Sequence, residues 1–160
     1  MTARNYYHVG ILVDDIAAAR DRFSSITGLE FTPVQTIRFP HFEDSRGKRE
    51  LELVFCYSIE GPPFLELVQS DPEGGVYGRQ NGEGLHHLGF HEHDVRSRMD
   101  QLEREHGMTH EGARFGNRDA GRMAAAYTSP AGLHGVRLEI VDERGRVGLY
   151  EWLASFDPKR

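Results

Sequence analysis

The chain has 160 residues, enough for one compact domain or two small fused modules, and its 38% hydrophobic and 10% aromatic residues can fill a core. Its net charge of -6, with the basic residues scattered, argues against nucleic acid or an anionic membrane as partner. No apolar run approaches the roughly 18 residues of a membrane span, no basic-then-apolar leader opens the chain, and the lone Cys56 allows no intramolecular disulfide, so a cytoplasmic location is expected.

Residues 7–13 are rich in Val, Ile and Leu and predict a strand. Asp14 or Asp15 then caps a helix running to about Ile26, with Ile16, Ala19, Arg20 and Phe23 at helical spacing and Gly28 as its C-terminal stop. A second strand is expected over 30–37 and a loop over Pro40–Lys48. Glu50–Tyr57 alternates: Leu51, Leu53, Phe55 and Tyr57 on one face, Glu50, Glu52, Val54 and Cys56 on the other. Gly61-Pro62-Pro63 turns the chain into the strand Phe64–Val68. The first module, residues 1–70, is therefore β-α-β-β-β.

Residues 71–84 are rich in Gly, Pro, Asp and Asn and read as a linker. The second module, 85–142, repeats the order. It has a strand over 85–92, a helix capped by Asp94 and stopped by Gly107, strands near 108–114 and 122–128, and a last strand over 136–141. The tail, 143–160, is apolar at Leu149, Tyr150, Trp152, Leu153 and Phe156. It is expected to form a short helix or arm that packs on a module or on a second subunit, and a homodimer is expected on that ground.

The two modules are copies. Aligning His8 with His87 also sets Gly10 on Gly89, Asp15 on Asp94 and Gly28 on Gly107 at one offset. Each copy ends in a strand with one central glutamate, Glu66 in Leu-Glu-Leu and Glu139 in Leu-Glu-Ile. Strand parity turns His8, Glu66, His87 and Glu139 away from the helix-packed side, into one pocket. A single strand histidine is more often a packing residue, but two modules that place the same pair favour metal. Imidazole with carboxylate suits Zn, Ni, Co, Mn or Fe rather than Ca. His91 shares the parity of His87, and Arg137 stands two residues before Glu139. Both are candidates for substrate contact, against the alternatives of a surface histidine and a strand-to-strand ion pair.

Residues 7–142 resemble the vicinal oxygen chelate superfamily, which includes glyoxalase I, methylmalonyl-CoA epimerase, extradiol dioxygenases and antibiotic-resistance proteins. The resemblance implies an α+β fold of two fused β-α-β-β-β modules whose mixed sheets curl around a metal-containing pocket. It assigns the four ligand positions to His8 in His-Val-Gly-Ile, Glu66, His87 in Leu-His-His-Leu-Gly-Phe, and Glu139. The histidine pair and Gly-Val-Arg-Leu-Glu are most similar to the epimerase-like members. Those enzymes place a proposed base just before the third strand. Here Lys48 and Arg49 stand near that point, with Glu50 and Glu52 just after. The expectation is one divalent ion and a small-molecule substrate with adjacent oxygens. The reaction is that of an epimerase, isomerase or lyase working through an enediolate, with Glu139, Glu50 or Glu52 moving the proton. The alternatives are a non-enzymatic ligand-binding or resistance protein and an extradiol-type dioxygenase.

Overall fold

The computed structural model describes residues 5–157. Residues 1–4 and 158–160, at the outer ends of the first module and the tail, lie outside the described residues. The first module runs β1 (Tyr6–Val13), α1 (Ile16–Thr27), β2 (Gln35–Asp44), β3 (Gly47–Tyr57) and β4 (Phe64–Gln69). The second runs β5 (Gly84–Glu92), α2 (Val95–His106), β6 (His110–Phe115), β7 (Met123–Thr128) and β8 (Arg137–Asp142). A last helix, α3 (Arg146–Ala154), follows. The strands close into one barrel in the order β1-β4-β3-β2-β6-β7-β8-β5, so the sheets curl as the sequence implied.

The helices form where the caps put them. Asp15 and Asp94 stand in extended backbone and accept hydrogen bonds from Ala18 N and Ser97 N, each satisfying a donor that the first turn leaves free. Gly28 and Gly107 end the helices at φ 75° and 66°, a left-handed conformation that costs glycine nothing. Val13, Ile16, Cys56 and Leu67 pack between α1 and its sheet. Val95, Met99, Leu102 and Ile140 do so under α2.

The modules meet at two seams of different strength. β1 and β5 pair antiparallel from Tyr6–Phe90 to Leu12–Gly84. β2 and β6 touch only at Phe42–Arg114 and Glu43–Ala113. Away from the helices, Leu12, Phe42, Leu51, Leu53 and Val68 fill the barrel interior. At about 1.5–3 kcal/mol for each large apolar side chain fully buried, this cluster is a main stabilising element.

Three expectations change. The second strand lies later than 30–37, and the segment read as the Pro40–Lys48 loop is the β2–β3 hairpin. Asp44 Oδ1 accepts from Arg46 N, and Gly47 turns at φ 90°. Pro40 sits where the β2–β3 register shifts between Phe39 and Phe42, a bulge where its missing N–H does no harm. The linker is also more than a connection. Val76 and Tyr77 are buried in the barrel interior, and Asp71 bridges to Gly78. The tail packs on its own chain: Leu153 is buried against Tyr57 and Phe64, and Trp152 lies against Phe55. Leu149, Tyr150, Trp152 and Phe156 remain half-buried, so the chain itself covers part of the apolar surface behind the dimer expectation. Among the described residues no helix is long and apolar enough to cross a membrane.

Candidate metal centre

His8, Glu66, His87 and Glu139 converge inside the barrel, and one ligand atom of each lies within 4.8 Å of all the others. The histidines are 0% exposed and the glutamates 5% and 8%. His8 Nε2 lies 3.3 Å from Glu66 Oε2 and 3.1 Å from Glu139 Oε2. His87 Nε2 lies 3.1 Å and 3.4 Å from the same two oxygens. The two Nε2 atoms are 2.7 Å apart. Ligands about 2.1 Å from one ion stand roughly 3.0 Å apart at a right angle and roughly 3.4 Å apart at the tetrahedral angle. The cluster therefore has the spacing of a ligand set, and its N and O donors suit a divalent transition metal.

The repeated glycines explain how two imidazoles fit. His8 stands opposite Gly89 and His87 opposite Gly10 across the β1–β5 seam. A Cβ on Gly10 would lie 2.0 Å from His87 Cε1, and one on Gly89 would lie 2.1 Å from His8 Cε1. Each module supplies the space for the other's imidazole. The glutamates come from the strands outside that seam, β4 beside β1 and β8 beside β5.

The charges are matched. Burial alone would lower the His8 pKa, but Glu66 and Glu139 beside it more than offset this and hold it at about 9. Burial would raise Glu66, and His8 and His87 instead keep it well below the usual carboxylate range. Burial would likewise raise Glu139, and the hydrogen bond from His8 with the two nearby imidazoles keeps it low. With its pKa raised in this way, His8 would have to give up a proton to a cation entering the cluster at neutral pH.

This gives a signed expectation. Metal uptake at pH 7 should release about one proton from His8, with affinity rising until pH passes about 9. The His8 pKa lies above its unfolded value of 6.5, so its contribution to ion-free stability is complete below that pH and is lost as pH rises to about 9. Titration calorimetry in buffers of different ionisation enthalpy counts the protons. Uptake at pH 7 with no release would contradict this protonation of His8.

Two further groups support the ligands. Tyr127, opposite Glu139 in the β7–β8 ladder, donates to its Oε1 at 2.6 Å. His86 Nδ1 lies 2.9 Å from His87 Nδ1. The sequence did not single out Tyr127. Its signal was present: Tyr57 ends the third strand of the first copy and Tyr127 is the last but one residue of the third strand of the second, and each pairs across the sheet with its module's glutamate.

The other candidates are dispersed. Glu50 and Glu52 are exposed on the outside of β3, and Glu52 pairs there with Arg38. Leu51 and Leu53 of the same strand take the interior, so neither glutamate reaches the cluster. Arg137 is buried and committed: Glu111 accepts from its Nε at 2.6 Å and from its Nη2 at 2.9 Å, and Asn81 accepts at 3.0 Å. That is the strand-to-strand ion pair, not a free cation for substrate. His91 is buried, stacked on Tyr7 at 3.8 Å and edge-on to Tyr150 of α3. Neither of its ring nitrogens has a hydrogen-bond partner among the described residues, and burial pushes its pKa down to about 4.

Two β-α-β-β-β modules closed into one barrel around two histidines and two glutamates define a class, that of paired-module proteins with an internal cluster that could hold one metal ion. Residues 7–127 match the model of the Glyoxalase/Bleomycin resistance protein/Dioxygenase superfamily, and the chain belongs to that superfamily. It is 25% identical to Uncharacterized protein YqjC of Bacillus subtilis (strain 168) over 141 residues, 86% of this chain and 91% of that protein. A methylmalonyl-CoA epimerase solved in complex with methylmalonyl-CoA and NH4+ is similar in structure. Its TM-score is 0.56 at 23% identity, over 86% of this chain and 93% of that one. Methylmalonyl-CoA epimerase from Mycobacterium tuberculosis gives 0.58 at 18%, over 93% and 97%. At these identities the structural likeness shows the fold.

Proposed function

We propose that the chain is a divalent-metal-dependent epimerase or isomerase, or a lyase of the same chemistry, acting on a small substrate with adjacent oxygens. The observation that carries this is the buried convergence of His8, Glu66, His87 and Glu139. The structural likeness to methylmalonyl-CoA epimerases supports the proton-transfer class and points to acyl thioesters as first substrates to try. A Zn, Ni, Co, Mn or Fe ion held there supplies Lewis acidity, which lowers the pKa of a carbon acid beside a carbonyl and stabilises the resulting enediolate. The chain supplies the rest. Its buried walls exclude water. Glu139, whose Oε1 accepts from Tyr127 and whose Oε2 faces His8 and His87, takes and returns the substrate proton. Glu66 is its counterpart in the other module.

The test is an anaerobic assay with a 2-substituted acyl thioester in deuterated water. Deuterium should enter the α-carbon without oxygen uptake. Glu139→Gln should slow that exchange by about 10²–10⁴-fold, the usual share of a general acid or base. Strict need for Fe(II) and oxygen would instead favour a dioxygenase. Bound metal without exchange into any thioester would favour a binding protein. We also propose a homodimer, in which exposed Ile26 and Leu85 would find cover. Light scattering should give a mass near twice 18.2 kDa, and the single-chain value would contradict it.

A further inference from the structure

The segment between β4 and β5 reaches the centre at two points. The Val76 carbonyl accepts a hydrogen bond from His86 Nε2 at 2.8 Å. A neutral histidine that donates from Nε2 has a bare Nδ1. The proton between His86 Nδ1 and His87 Nδ1 then belongs to His87. Once His87 is neutral, Nε2 is therefore its lone-pair atom, and Nε2 is the atom turned toward His8 and Glu66.

The second point is Tyr77. Its hydroxyl lies 2.6 Å from that of Tyr127, which donates to Glu139 Oε1. An ionised carboxylate only accepts, so the donors run from Tyr77 to Tyr127 to Glu139. Glu139 Oε2 is left for the centre, where it faces His8 and His87.

These supports are themselves braced. Asn81 donates to the Val76 carbonyl at 2.8 Å and accepts from Arg137 at 3.0 Å. The Tyr77 ring stacks on His86 at 5.3 Å and 19°. On the first module, by contrast, His8 Nδ1 is buried without a hydrogen-bond partner among the described residues.

We propose that this inter-module segment holds His87 and Glu139 in their ligating forms. Through His86 it sets which nitrogen of His87 carries the proton, and through Tyr77 and Tyr127 it sets which oxygen of Glu139 faces the ion. His86 and Tyr77 are thus positioning residues, and the inference rests on the metal-centre reading above. Groups that orient a metal ligand in this way commonly carry about 10–100-fold in metal affinity.

Nitrogen NMR of the labelled chain tests the proton placement without any metal. His86 should be protonated at Nε2, with a through-hydrogen-bond coupling between its Nδ1 and that of His87. A proton on His86 Nδ1 would overturn the proposal. Zinc affinity, by competition with a chelator, tests the consequence. His86→Phe keeps the ring but loses both nitrogens, and should bind zinc about 10–100-fold more weakly. His86→Asn, which restores an acceptor near the Nδ1 position, should recover most of that loss. Tyr77→Phe removes one hydroxyl from an otherwise unchanged ring, and should weaken zinc in the same direction. Should His86→Phe fail to fold, the NMR signature and Tyr77→Phe still decide. Folded variants with wild-type zinc affinity would overturn the proposal. A wild-type chain that binds no zinc would instead refute the metal-centre reading, and the NMR result would stand apart from it.

Discussion

His87→Ala is expected to purify as a folded chain that carries no metal, where the wild type carries about one divalent ion by the four-ligand logic. The residue is fully buried, and its loss opens a cavity of the kind that costs about 2–5 kcal/mol. A domain with roughly 5–15 kcal/mol to lose should survive that. The ion's contribution should not survive. A ligand present at about 1,000 times its dissociation constant adds about 4 kcal/mol to stability. Added zinc should therefore raise the wild-type Tm by several degrees and leave that of the variant unmoved. Full metal occupancy in folded His87→Ala would refute the site.

Gly10→Ala and Gly89→Ala are expected to be nearly as damaging, although neither residue offers a ligand. The added methyl group would overlap the partner imidazole, which cannot swing aside without leaving the cluster. Overpacking of this kind costs about 1–3 kcal/mol in stability. The larger effect should be on metal, with affinity falling by at least the roughly 10–100-fold lost when a ligand's orienting group is removed. Because the interlock is reciprocal, the two variants should behave alike. Metal analysis of both proteins checks this, and wild-type occupancy in either would show that the seam yields more easily than its packing implies.

Much of this was legible because the chain says it twice. The offset that aligned His8 with His87 also aligned Asp15 with Asp94, Gly28 with Gly107 and Gly10 with Gly89; the first two pairs cap the helices as read, and the third lines the β1–β5 seam. Parity along β1, β4, β5 and β8 brought the four ligand positions to one side. What failed was local and has local causes. β2 has one face largely in solvent and a proline at its bulge, so its composition resembles that of a loop. The linker's glycines and charges mask Val76 and Tyr77, which only tertiary packing identifies as interior. Glu50 and Glu52 lie close to the ligands in sequence pattern, but the barrel below the centre is apolar and draws in the leucine face of β3 instead. Arg137 meets Glu111 through strand pairing across β7, a relation that spacing along the chain does not encode.

The seam between β1 and β5 also bears on handedness. His8 faces Gly89 as His87 faces Gly10, and Glu66 and Glu139 flank the pair from β4 and β8. The centre therefore has an approximate two-fold axis, and each carboxylate is the image of the other. A planar intermediate lying on that axis would present its opposite faces to equivalent groups. A proton could leave from one side and return to the other with little change in the surroundings. A two-fold axis leaves such a centre chiral, so it still distinguishes a molecule from its mirror image; what it equalises is the carboxylate that each face of the intermediate meets. What breaks that two-fold symmetry is what occurs only once: α3, packed over Phe55, Tyr57 and Phe64 of the first module, and the Val76–Tyr77 segment behind His87 and Glu139 of the second.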